Sequence, residues 1–124
     1  MSEATEQKEF VTWWRATYPE YAHCLRVSLT GLNFGAGPKA ARMVNHIRSQ
    51  GITVGESDIL IALGRGGWNA LVIEHKAADG KHKVTPEQQA YLDAHAREGN
   101  CALSTRGIES LKAAVMAYMD AKYV

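Results

Sequence analysis

Two short apolar runs held apart by glycines constrain this chain more than any other feature: Glu56-Ser57-Asp58-Ile59-Leu60-Ile61 and Leu71-Val72-Ile73-Glu74-His75-Lys76. The stretch between them includes Gly64-Arg65-Gly66-Gly67-Trp68-Asn69, three glycines in six residues. The pattern predicts two neighbouring strands joined by a hairpin loop. Side chains alternate faces along a strand. Glu74 and Lys76 therefore share one face, while Ile73, His75 and Ala77 share the other. If the strands pair, Asp58 at the start of the first comes close to Glu74 near the end of the second.

Two adjacent carboxylates repel, which costs stability unless a cation stands between them. Oxygen ligands suit a hard ion, and Mg²⁺ is commonly held by only one or two carboxylates together with waters and substrate phosphates. A lysine beside such an ion can position or deprotonate an attacking water, or stabilise charge on the phosphoryl group. Asp58, Glu74 and Lys76 are thus the residue types of metal-dependent phosphodiester cleavage. Taken alone, Glu-x-Lys is better explained as a same-face ion pair on an exposed strand, and the surrounding chain has to decide between the two.

The 124 residues suffice for one domain, spanning 1–124, with a sizeable core. With 46% hydrophobic and 22% charged residues, the composition is that of an ordinary globular protein. A net charge of +1 excludes a global basic signature, so any contact with nucleic acid must come from a local patch. Cys24 and Cys101 form no CxxC, which argues against a zinc site or a disulfide framework. No apolar run reaches about 18 residues, and the polar N-terminus is unlike a signal peptide. A soluble, cytoplasmic protein with no membrane partner is expected.

Elsewhere helices and strands alternate. Ser2 is placed to cap a helix opened by Glu3, in which Phe10, Val11, Trp13, Trp14 and Tyr18 recur at helical spacing until Tyr18-Pro19 ends it. Glu6 precedes Phe10 and Trp13 by four and seven residues and so borders the buried face; an acid there also complements the helix dipole. Gln7 borders the same face through Val11 and Trp14. Cys24 to Leu29 reads as a strand, and Thr30 to Gly37 as a loop whose glycines match no phosphate-binding pattern. Pro38 opens a second helix and Gly51 closes it. Lys39, Arg42 and His46 make a basic stripe on that helix, either a solvated face or a contact for phosphates.

Asp79-Gly80 ends the second strand of the central pair. Lys81, His82 and Lys83 follow in a loop beside the acids, either merely exposed or poised on backbone phosphates. Thr85-Pro86-Glu87-Gln88 opens a third helix, running to about Arg97, as a capping box in its glutamine form, which accounts for Gln88 without any chemistry. Gly99-Asn100 stops that helix. Cys101 to Thr105 reads as a strand, and Gly107 to Ala121 as a final helix with Ile108, Leu111, Val115 and Met119 along its apolar seam.

This order of elements contains the αβββαβ core of the PD-(D/E)xK nucleases, with one helix inserted and one appended. Gly55-Glu56-Ser57-Asp58 resembles the G-x-P-D motif of that superfamily, with Ser57 in place of the proline. Arg65-Gly66-Gly67-Trp68, followed by Glu74-His75-Lys76, resembles an RGG-aromatic turn leading into the E-x-K strand, with His75 at the variable position. Val84-Thr85-Pro86-Glu87-Gln88 resembles the S-P-E-Q that opens the next helix, and Glu6-Gln7 resembles the E-Q of the first. Together they resemble the VRR-NUC branch, the virus-type replication-repair nuclease module, over nearly the whole chain. The Asn-Gly usual after the first strand has only Asn33 as a loose counterpart.

The resemblance implies an α/β, restriction-endonuclease-like fold with a mixed sheet flanked by helices. It implies a structure-selective DNA endonuclease in which Asp58, Glu74 and the His75 backbone carbonyl bind Mg²⁺ or Mn²⁺, with no organic cofactor. Lys76 would serve the water or the transition state, Gln88 would orient them, and Glu6 would support the metal from behind or add a contact to it. Lys39, Arg42, Lys81 and Lys83, with Arg65 in the hairpin, are the candidate DNA contacts. Standalone members resemble Holliday-junction resolvases, which implies a four-way junction as substrate and a homodimer to cut it. Cleavage of flaps or nicked duplex, or DNA binding without cleavage, are the rival readings. Trp13, Trp14, Trp68, Tyr18 and Tyr21 are more large aromatics than one small core needs, which makes them candidates for a dimer interface.

Overall fold

The computed structural model describes residues 2–28, 36–51 and 56–121. Asn33, Gly55 and most of the loop expected at 30–37 lie outside them. Helix α1 (Glu3–Thr17) begins where Ser2 Oγ accepts a hydrogen bond from the Thr5 amide at 3.1 Å. Its buried residues Glu6, Phe10 and Trp14 are spaced four apart, one stripe down the helix. A short 3₁₀ helix, Pro19–Cys24, follows and is absent from the sequence-based expectation. It is tied down by the Trp14 indole N–H, which donates to the Tyr21 carbonyl at 3.3 Å. Strand β1 is consequently short, Leu25–Val27, rather than starting at Cys24.

Helix α2 (Pro38–Ser49) opens on its proline as expected. Strands β2 (Ile59–Ile61) and β3 (Leu71–Lys76) form the expected antiparallel pair. Their connection turns between Arg65 and Trp68, which exchange backbone bonds of 3.1 and 2.8 Å. Gly66 and Gly67 both have positive φ, 56° and 87°, which a tight turn of this hand requires and side chains resist. Helix α3 (Pro86–Arg97), strand β4 (Cys101–Arg106) and helix α4 (Ile108–Met119) complete the chain. The sheet runs in the order β1-β2-β3-β4, antiparallel up to β3 and parallel between β3 and β4. It is therefore a mixed four-stranded sheet flanked by helices, as the resemblance implied.

One face of the sheet carries the main core. Ile59, Ile61, Leu71, Ile73 and Cys101 pack there against Phe10 and Trp14 of α1 and Leu111, Val115 and Tyr118 of α4. All of these strand residues are at odd-numbered positions, so they share a face by period two. The opposite face of β3 presents Val72, Glu74 and Lys76, and α3 packs on β3 and β4. Every residue of β3 is buried, as expected for a strand covered on both faces.

Folding draws all five of these aromatics toward the core. Trp14 is fully buried, and Trp13, Tyr18, Tyr21 and Trp68 pack against the same core. The tight Gly66-Gly67 turn folds Trp68 inward, so its hairpin position does not expose it. Among the described residues the exposed large apolar side chains are Met43 and Met116. Trp13, Tyr18, Tyr21 and Trp68 are each half-buried, with one side on the core. Trp68→Ala should destabilise the protein by about 2 kcal/mol in a denaturant titration, less than the roughly 3–5 kcal/mol of a fully buried aromatic. Its sedimentation should be unchanged; a large shift in association with little loss of stability would return Trp68 to an interface.

Candidate active site

The register of β2 on β3 builds the site. Ile59 pairs with Ile73, and one further step along the antiparallel pair sets Asp58 across from Glu74. The ladder ends at Ile59, so the His75 amide beyond it has no strand partner on that side. The Asp58 carboxylate takes that place: its Oδ2 accepts from the His75 N–H at 2.7 Å. The N–H and C=O of one strand residue face the same side. The His75 carbonyl therefore faces the Asp58 edge as well.

Glu74 is almost wholly buried, and neither of its oxygens has a hydrogen-bond partner among the described residues. Lys76 Nζ stands 3.9 Å from Oε1, an ion-pair distance too long for a hydrogen bond. Burial, followed by the Asp58 carboxyl, which contends with it for a proton and repels its charge, raises the pKa of Glu74 to about 9. Lys76 opposes the shift and Glu3 adds to it. A buried acid without a donor is costly and calls for an explanation.

The donor set meets the requirements of a hard divalent ion. Two carboxylates and a backbone carbonyl at one edge are ligands suited to Mg²⁺ or Mn²⁺. The described residues contain no group of three or more His, Cys, Asp or Glu side chains arranged around a common metal position. The side chains would thus contribute two ligands, which is enough for an ion that keeps its remaining positions for water and phosphate. A cavity of about 470 Å³, lined by Glu3, Ala4, Gln7, Lys8, Ser28, Asp58 and His75, opens between the first turns of α1 and this edge.

The remaining expected residues fall into separate places. Glu6 is buried but engaged elsewhere: Oε1 meets His75 Nε2 at 2.8 Å, and Oε2 accepts from the Ala78 amide at 3.2 Å. The His75 ring leaves β3 on the face opposite Glu74, so Glu6 touches the site through His75. Gln88 completes the capping box, its side-chain Oε1 accepting from the Thr85 backbone N–H at 2.9 Å while its backbone N–H donates to Thr85 Oγ1 at 3.1 Å. Arg65 braces the hairpin, donating to the Gly64 carbonyl at 2.7 Å and lying 5.3 Å from the centre of the Tyr21 ring. Lys39 and Arg42 are exposed on α2, and Lys81 and Lys83 are exposed in the loop after β3.

Several residues that matter here carry no signal in the sequence. Arg106 donates to the Ala77 carbonyl at 2.9 Å and to the His82 carbonyl at 2.5 Å, pinning the lysine loop beside the end of β3. Thr105 bonds the second ring nitrogen of His75. Ser28 Oγ donates to Glu56 at 2.6 Å, drawing the end of β1 toward the segment that leads to Asp58.

The chain is similar to a solved structure of a VRR_NUC domain protein, with a TM-score of 0.78 over 98% of this chain and 90% of that one. It has the VRR-NUC fold. Identity between the two is 23%. No protein-family model and no curated protein matches the sequence.

The Glu74 shift has a sign that can be checked. In the metal-free protein its folded pKa, about 9, lies above the ordinary 4.5. The folded state then holds a proton that the unfolded state releases, so Glu74 favours folding below pH 4.5 and the benefit is lost up to about pH 9. Stability measured in EDTA should fall as pH rises through that window, and Glu74→Gln should flatten the slope. An unchanged slope in the variant would locate the titration elsewhere.

Proposed function

We propose that the chain is a metal-dependent endonuclease that hydrolyses phosphodiester bonds in DNA. The observation that carries this reading is the Glu74 carboxyl, buried without a hydrogen-bond donor beside Asp58, with Lys76 on the same face. A structural strand has no use for that arrangement, whereas a metal-binding one does. The likeness of fold to a VRR_NUC domain protein supports the same reading.

In this mechanism Asp58, Glu74 and the His75 carbonyl would hold Mg²⁺ or Mn²⁺, which supplies Lewis-acid stabilisation of charge on the phosphoryl group. Lys76, restrained by burial and by its ion pair with Glu74, orients the attacking water or neutralises charge that develops on the phosphate. Gln88 keeps its side-chain oxygen on the helix cap, which leaves its amide N–H₂ as a donor to that water. Lys81 and Lys83, on a loop fastened by Arg106, hold the backbone phosphates on one side of the cut. Lys39 and Arg42, exposed on α2, are further candidate phosphate contacts, whereas Arg65, at the hairpin end of β3, is engaged with the Gly64 carbonyl and the Tyr21 ring.

The finer proposal is a four-way junction cut by a homodimer, because symmetric cuts need two sites related by a two-fold axis. A second reading, cleavage of flaps or nicked duplex by single chains, is favoured by the inward packing of Trp13, Tyr18, Tyr21 and Trp68. Labelled duplex, flap and four-way junction DNA, incubated with and without Mg²⁺, separates these from a module that binds without cutting. Asp58→Ala and Glu74→Ala should abolish cleavage while DNA binding in EDTA survives. Cutting by Glu74→Ala at near the wild-type rate would remove this site from the mechanism. A protein that stays monomeric on junction DNA would rule out the resolvase form.

Phosphate contacts release counterions, with a salt slope of roughly −0.9 per contact on duplex DNA. Neutralising Lys81 and Lys83 together should flatten log K against log salt by roughly two units. An unchanged slope would place the phosphate track elsewhere.

A further inference from the structure

Behind the acidic edge lies a second polar group that the cleavage chemistry does not use. Glu6 of α1, His75 of β3 and Thr105 of β4 form one hydrogen-bonded chain, and all three are buried. Thr105 Oγ1 meets His75 Nδ1 at 2.8 Å, and His75 Nε2 meets Glu6 Oε1 at 2.8 Å. The other Glu6 oxygen accepts from the Ala78 amide at 3.2 Å. The group sits on the same face as Ile73, Phe10 and Trp14, where the neighbours are apolar.

Placing an acid and an imidazole there is not an economical route to stability. Well-packed apolar residues of similar volume commonly do as well or better, because buried charges must be desolvated. What the polar chain adds is direction. With a neutral ring and Glu6 accepting, His75 Nε2–H donates to Glu6 and Nδ1 accepts from the Thr105 hydroxyl. Both ring nitrogens are then held from two different elements. On the other side of the same residue, the backbone N–H is held by Asp58 at 2.7 Å.

We propose that Glu6 and Thr105 are positioning residues that grip the His75 ring behind the sheet and thereby fix the His75 backbone against Asp58. For its catalytic consequence this rests on the nuclease reading given above. A metal-binding edge works only if its ligands are held to within about 0.5 Å. β3 pairs with β2 no further than Ile73, so its last residues, including Glu74 and His75, lack a strand on that side. The clasp supplies the missing restraint from α1 and β4. Through the Ala78 amide it also fixes the start of the lysine loop. Glu6 acts through His75 and is not itself a ligand.

Four substitutions, at Glu6 and Thr105, separate this from direct metal binding by Glu6. Thr105→Val keeps the shape and removes the hydroxyl. Glu6→Ala removes the acid. Glu6→Gln preserves every bond if the imidazole switches tautomer: the Gln amide donates to Nε2, Nδ1–H donates to Thr105, and the Gln oxygen accepts from Ala78. The measurements are hydrogen exchange of the His75 amide in EDTA, the ¹⁵N spectrum of the His75 ring, and the rise in melting temperature caused by Mn²⁺. Thr105→Val and Glu6→Ala should exchange the His75 amide about ten-fold faster, with Ile73 unchanged, and should lose most of the Mn²⁺ response. Glu6→Gln should behave as wild type in exchange and Mn²⁺ response, with its ring proton moved from Nε2 to Nδ1. Thr105→Ser should restore both readings, which distinguishes a lost hydroxyl from a damaged fold. Normal exchange in Thr105→Val, or a Mn²⁺ response lost in Glu6→Gln yet kept in Thr105→Val, would overturn the clasp. A wild-type protein that ignores Mn²⁺ would sink the nuclease reading, while the exchange and ring spectra would still decide the clasp.

Discussion

The register of β2 against β3 is the constraint on which the rest of the molecule depends. Pairing Ile59 with Ile73 sends four apolar strand side chains into the α1–α4 core and sets Asp58 across from Glu74. A slip of one residue would invert every side chain of the strand. It would turn Ile73 away from Phe10 and Trp14 and drive Glu74 against them in its place. The hydrophobic effect thus holds the acidic edge together without touching it. The same pairing that buries the isoleucines aligns two carboxylates that repel each other.

β3 changes character along its length. Its first three residues, Leu71, Val72 and Ile73, are apolar on both faces, whereas Glu74, His75 and Lys76 are polar on both and still buried. The apolar half supplies the stability that the polar half costs. On the α3 face that cost is left open at Glu74, whose oxygens have no donor among the described residues. On the α1 face it is closed completely by Glu6 and Thr105. One strand therefore carries a satisfied polar group and an unsatisfied one back to back.

The loop beyond β3 shows how the same end of the sheet gathers positive charge in a chain whose net charge is only +1. Asp79 accepts from the Lys81 amide, and Arg106 holds the Ala77 and His82 carbonyls. The guanidinium is occupied with backbone carbonyls, and the two lysines are left exposed beside the end of β3. A local patch of this kind needs no global basic composition.

By itself the sequence determined whatever depends on near neighbours. The caps at Ser2 and Thr85, the proline at the start of α2, the Gly66-Gly67 turn and the face shared by Glu74 and Lys76 all follow from residues within a few positions of one another. The approach of Asp58 to Glu74 could be read as well, because a hairpin brings them together once its period is known. The tertiary structure alone decided that the Glu6 carboxylate meets a histidine 69 residues away and that Arg106 reaches a loop 24 residues back. It also decided that Trp68 packs inward, where the sequence pointed to an exposed turn. These contacts join elements whose relative placement is set by packing of the whole core, and no local pattern of residues encodes it.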